Sequence, residues 1–120
     1  MREKIRDKGR IEHIIESIDN IFEFTENISL EQFATNKMMW FAVFKNLEII
    51  GEASYMITNE LREKYTEIEW KKIIGLRHIL VHGYYTINAN IVWKILENDL
   101  CTLREKIKCI YEQEYMNNEK

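Results

Sequence analysis

The chain has 120 residues, 46% of them hydrophobic, with no proline and a formal net charge of −3. That is enough apolar material for one buried core, and a single domain over residues 1–120 is expected. The acidic balance excludes a protein held on duplex nucleic acid by bulk positive charge, because such binding neutralises many phosphates, so any nucleic-acid contact must be local.

Ile11, Ile14, Ile15, Ile18, Ile21 and Phe22 recur at three- and four-residue spacing and predict a core-facing helix from about Lys8 to Thr25. Ser29 followed by Gln32 is a capping-box pattern that opens a short helical turn. A long helix is expected from Asn36 to Lys64, with Met39, Ala42, Val43, Ile49, Ile50, Ala53, Met56 and Ile57 on its buried face. Glu48, Glu52 and Tyr55 fall opposite, and Asn46 sits inside the apolar face.

Thr66 and Glu69 form a second capping-box pattern, which predicts a fourth helix ending at Gly83. Asn88 caps a last helix, whose buried positions are Ile91, Val92, Ile95, Leu100, Leu103, Ile107 and Ile110. No segment alternates with the period of a strand. The expected fold is all-α, an antiparallel bundle of four main helices plus a short one.

Cys101 and Cys109 lie eight residues apart in what reads as one helix. They are therefore separated by about 12 Å along its axis, too far for a bridge within the chain. The opening "MREKIRDKGRIEH" lacks the apolar core of a secretory signal, and the longest apolar run, "MMWFAVF", is too short to cross a bilayer. A cytoplasmic protein with reduced thiols and no membrane partner is expected.

There is no glycine-rich phosphate loop, dinucleotide fingerprint, Cys-x-x-Cys or His-Glu-x-x-His, so no cofactor is expected. The informative stretch is "GLRHILVHGYY", Gly75 to Tyr85. Trp70, Ile73, Ile74, Leu80 and Val81 make a helical stripe, and Arg77 falls within it. An arginine there needs an anion, either a carboxylate from another helix or a ligand in a groove.

His78 and His82 share one side of the helix, a spacing that could hold a metal. With only His13 as a further histidine and no acidic cluster nearby, none is expected. One arginine with one imidazole suits metal-independent RNA cleavage, in which a guanidinium meets charge on the phosphate and an imidazole moves a proton. The ribose 2′-hydroxyl is then the nucleophile. Tyr84 and Tyr85 could stack on unpaired bases or close the end of the bundle.

Arg77, four intervening residues, His82, one residue and Tyr84 match the Arg-x4-His-x-Tyr motif of the HEPN-domain superfamily, and the chain resembles its HepT toxin branch. The resemblance takes in the isoleucine-rich first helix, "NLEIIGEA" from Asn46, "IEWKKIIGLRHILVHGYY" and "NIVWKILENDLCTLREKI". It departs at "YTEIEW", where relatives carry prolines, and at His78, where asparagine is common.

The resemblance implies a homodimer whose motif helices share a cleft, Arg77 and His82 as catalytic residues, and His78 and Asn46 in support. It implies a ribonuclease toxin with an RNA substrate. Its antitoxin would be a minimal nucleotidyltransferase that transfers AMP to Tyr84. The alternatives are a non-catalytic adaptor that presents nucleic acid or nucleotide to the transferase, and a structural dimerisation module in which Arg77 is an ion-pair residue.

Overall fold

A computed structural model describes residues 2–82 and 89–116, without the side chains of residues 2–5, 77 and 79–82. The described residues form helices α1 (Arg2–Phe24), α2 (Leu30–Thr35), α3 (Lys37–Met56), α4 (Asn59–Lys64), α5 (Trp70–His82), α6 (Ala89–Asn98) and α7 (Leu100–Tyr111). A π-helical turn, Glu112–Met116, extends α7. The fold is all-α, and no strand occurs among the described residues. No described helix is long and apolar enough to cross a membrane.

The isoleucine stripe of α1 forms half of the core: Ile11, Ile14, Ile18 and Ile21 are fully buried. They pack against α3, which presents Val43, Leu47, Ile50 and Ala53. Ile107 and Ile110 of α7 close the same core. α2 begins as its capping box predicts, with Ser29 Oγ accepting from the Gln32 N–H at 3.1 Å and Gln32 Oε1 accepting from the Ser29 N–H at 2.8 Å. Phe33 of α2 then packs on Trp93 of α6 with ring centroids 5.4 Å apart.

The single long helix expected from Asn36 to Lys64 is two helices. The chain turns extended at Ile57 and Thr58, and Thr58 Oγ1 accepts from the Leu61 N–H at 3.3 Å to start α4. The cause lies far away in sequence. Asp7, buried in α1, accepts from the Thr58 N–H at 3.1 Å and from the Thr58 hydroxyl at 2.6 Å. Arg10 stands 3.7 Å from the same carboxylate and donates to the Met56 carbonyl. One carboxylate thus holds the backbone donor that a continuing helix would have used.

The break also shifts the face that α3 buries. Met56, expected inside, is 42% exposed, whereas Leu47, Gly51 and Ser54 are buried. The last predicted helix is likewise divided, at Asp99, so that one continuous stripe does not describe it. Ile91, expected inside, is half exposed, and Leu96 is buried instead. Thr66 lies in a turn before α5, which begins at Trp70. The Trp70 indole donates to the Tyr65 carbonyl at 2.9 Å and anchors that start. Gly83 and Asn88, the expected stop and cap, lie outside the described residues.

The π-helical turn ties the C-terminal end to α4. Glu114 accepts from Lys64 Nζ at 2.6 Å and from the Tyr65 hydroxyl at 2.5 Å. Burial alone would raise the Glu114 carboxyl, but the bonds from Lys64 and Tyr65 outweigh it and hold the carboxyl below its ordinary range. Burial, with the nearby Asp7 and Glu114 carboxylates, pushes the Tyr115 phenol up to about 12.

Two stability predictions follow from these contacts. Asp7→Ala removes the acceptor of both part-buried Thr58 donors and lowers the unfolding free energy by about 2 kcal/mol, measured by urea denaturation. An unchanged midpoint would show that the α3–α4 break stands without Asp7. Glu114→Gln lowers Tm at neutral pH. Because the folded state favours the ionised carboxyl, its stabilisation is complete above the usual value of 4.5 and is lost as pH falls through the folded value. The gap in Tm between wild type and variant therefore closes on acidification below about 4.5, as calorimetry would show.

Candidate active site

α5 carries the motif, and its start is fixed from both sides of the chain. Ile68 and Trp70 are buried in the core, and the N–H groups of Lys72 and Ile73 donate to the Glu69 carbonyl at 3.1 and 3.2 Å. The connection through α4 returns the chain so that α5 packs antiparallel against α3. Leu47 and Ile50 of α3 share a groove with Ile73 and Leu76 of α5. The C-terminal half of α5 therefore lies toward the first turns of α3.

That half holds Arg77, His78 and His82, all on one helix, with His82 its last residue. The backbone puts Arg77 one turn beyond Ile73, on the flank of α5 whose neighbours Ile73, Ile74 and Leu76 are half-buried. His78 is exposed. The side chains of Arg77 and His82, and Tyr84 entirely, lie outside what is described.

Asn46 is buried on α3, and its bonds explain how an amide is tolerated among apolar neighbours. Its Nδ2 donates to the Ala42 carbonyl at 2.8 Å, and its Oδ1 accepts from Asn20 Nδ2 of α1 at 3.2 Å. The first bond stays within α3, and the second ties the amide to α1. Asn20 was not singled out from the sequence, where it is one polar residue beside the isoleucine stripe; only the helix pairing reveals its partner.

His13 is on α1, exposed, beside a shallow groove with Lys45, Glu48 and Glu52. Among the described residues no three His, Cys, Asp or Glu side chains are grouped to hold a metal ion. Cys101 and Cys109 are both free and exposed on α7.

Beside α5 runs a groove of about 420 Å³, floored by Leu47, Ile73, Leu76, Ile95 and Leu103. Lys72 and Lys106 stand on its rim, the first 3.1 Å from Glu69 and the second donating to the Glu67 carbonyl at 3.0 Å. An α5 flank that is apolar and open beside a motif arginine fits a helix built to be completed by another surface.

A family model described as Ribonuclease HepT-like matches residues 14–110, which take in Asn46 and the whole run from Arg77 to Tyr84. The chain belongs to that family. It is 40% identical over 103 residues to the "Putative RNase MJ1380" of Methanocaldococcus jannaschii, covering 86% of this chain and 94% of the relative. It is 38% identical over 101 residues to the "Probable ribonuclease HepT" of Thermococcus cleftensis, covering 84% and 92%. A third relative, the "Putative RNase TTE0752" of Caldanaerobacter subterraneus, is 34% identical over 104 residues, covering 87% and 93%. No solved structure matches the chain.

Proposed function

We propose that this HepT-like chain is a metal-independent endoribonuclease, a single cytoplasmic domain that works as a homodimer and as the toxin of a two-component module. The observation that carries the reading is the family match over residues 14–110 together with Arg77, His82 and Tyr84 in the spacing of the motif on and just after α5. The open apolar flank of α5 supports a dimer in which two motif helices line one cleft.

In that cleft the ribose 2′-hydroxyl of a single-stranded RNA attacks the adjacent phosphorus. A 2′-O–P bond forms and the P–O5′ bond breaks, leaving a 2′,3′-cyclic phosphate and a 5′-hydroxyl. The His82 imidazole takes the 2′ proton, and a protonated imidazole delivers one to the departing 5′ oxygen. Two copies of the motif supply both in a dimer, with His78 and Asn46 in supporting positions. The Arg77 guanidinium meets the charge that grows on the phosphate oxygens.

The partner in this reading is a minimal nucleotidyltransferase that silences the enzyme at Tyr84. The phenol oxygen attacks the α-phosphorus of ATP, pyrophosphate leaves, and the tyrosine carries AMP. A phosphodiester beside Arg77 competes with RNA for the cation, and the nucleoside fills the cleft.

Two measurements test this reading. With purified protein and a labelled single-stranded RNA in excess EDTA, the wild type cuts and leaves cyclic-phosphate ends. Arg77→Ala and His82→Ala each lose about two to three orders of magnitude in rate with unchanged circular dichroism. RNA bound but never cut would favour an adaptor. Co-expression with the adjacent nucleotidyltransferase adds 329-dalton units, roughly the mass of AMP less water, to the peptide holding Tyr84. The addition is lost in Tyr84→Phe and kept in Tyr85→Phe; neutralisation without it would mean inhibition by binding.

A further inference from the structure

The first turns of α3 carry a feature that the motif does not use. Phe41 is 61% exposed and Met38 is 85% exposed, on the side of α3 opposite the buried Val43, Leu47 and Ile50. Lys37 and Lys45 stand one turn before and one turn after Phe41, so a lysine, a ring and a lysine follow one another along a single face. The lysines are about 12 Å apart along the axis.

The ring is held from behind. Trp40 lies edge-on to Phe41 with centroids 6.0 Å apart, and it stacks on Phe44 at 5.0 Å with planes 24° apart. Trp40 and Phe44 are half-buried against the core, so Phe41 stands on a fixed base. Because α5 runs antiparallel to α3, this face lies at the end of the bundle where α5 carries Arg77 and His82.

We propose that Lys37, Phe41 and Lys45 form a single-stranded RNA platform, with an unpaired base on the Phe41 ring and flanking phosphates on the two lysines. The proposal rests on the ribonuclease reading and specifies how a strand reaches that site. A ring between two cations is the arrangement that tracks single strands, because every unpaired base has a face to stack and every nucleotide a phosphate to neutralise.

Charge favours a polyanion here over a second protein. In a chain with 20 acidic residues, positions 32 to 47 contain two lysines and no acid. Glu48 lies 3.4 Å from Lys45, in an exposed pair of little strength that a phosphate can displace, and Glu52 lines the same shallow groove. Lysines are depleted from the cores of protein interfaces, whereas this face places them directly beside its most exposed ring.

The test uses the full-length chain in the His82→Ala background, so that binding is read without cleavage. The probe is a fluorescent 12-nucleotide oligouridine, with the same strand annealed to its complement as the duplex control. Phe41→Ala weakens single-strand binding by about tenfold, Phe41→Tyr restores it, and duplex binding does not change. Lys37→Glu with Lys45→Glu lowers the slope of log affinity against log salt by about two phosphates. In the active background, Phe41→Ala slows cutting of the 12-mer and leaves cutting of a dinucleotide, too short to reach α3, unchanged.

Unchanged single-strand binding in Phe41→Ala overturns the platform. So does sedimentation showing that Phe41→Ala dissociates an oligomer and that binding returns at high protein concentration, which would make the face a contact between copies. If the 12-mer binds through Phe41 but wild-type protein cuts neither RNA, the platform stands and the ribonuclease reading falls. If wild type cuts both and Phe41→Ala cuts both equally well, only the platform falls.

Discussion

The arrangement of the bundle depends on a buried carboxylate that interrupts a helix. Asp7 occupies both donors of Thr58, and this ends α3 at Met56 and starts α4 at Asn59. A helix continuing from Lys37 to Lys64 would have run about 42 Å in a straight line and carried the next segment away from the core. With the break, Leu61, Tyr65, Ile68 and Trp70 are all buried within ten residues, and the chain returns along α3 as α5. The position of every residue in the motif helix is downstream of that turn.

The same turn explains the uneven covering of α5. α1 takes one side of α3 with its isoleucines, and α5 takes another. α7 is drawn to α1 by Arg104 against Asp19 at 2.6 Å and by the Tyr111 hydroxyl on Glu12 at 2.8 Å. With Ile107 and Ile110 buried against α1 and α3, α7 sits on that side of the bundle, and the groove beside Ile73 and Leu76 stays open. The open flank is therefore a consequence of how the four longest packed elements divide the core.

What the sequence made legible follows from the range of the forces involved. The isoleucine stripe and the Ser29–Gln32 cap are set within a few residues of themselves, and both are found as read. The α3–α4 break is set by a partner 51 residues away, so a periodic pattern running through Ile57 reads as one helix. Ile91 and Met56 were misplaced for the same reason, since an interruption rotates the stripe on each side of it. At the candidate site, the motif spacing from Arg77 to Tyr84 was legible because residue types and intervals are properties of the chain alone. The Asn20 bond to Asn46 was not, because only the angle between α1 and α3 decides which polar residues meet.

An acidic protein that takes RNA must do so by placement of charge, and the chain shows one way to arrange it. Its 17 basic and 20 acidic residues nearly cancel, so long-range attraction for a polyanion is absent and contact depends on where like charges are kept apart. Sixteen residues without an acid, running from α2 through the first half of α3, are such a place. A strand held by two lysines and one ring is held weakly, since few counterions are released. Weak holding suits a cutting enzyme, which gains rate only from contacts that strengthen as the phosphate approaches its transition state. In the proposed mechanism Arg77 belongs to that second class, its guanidinium acting on the reacting phosphate, while in the proposed platform the lysines of α3 act only to bring the strand there.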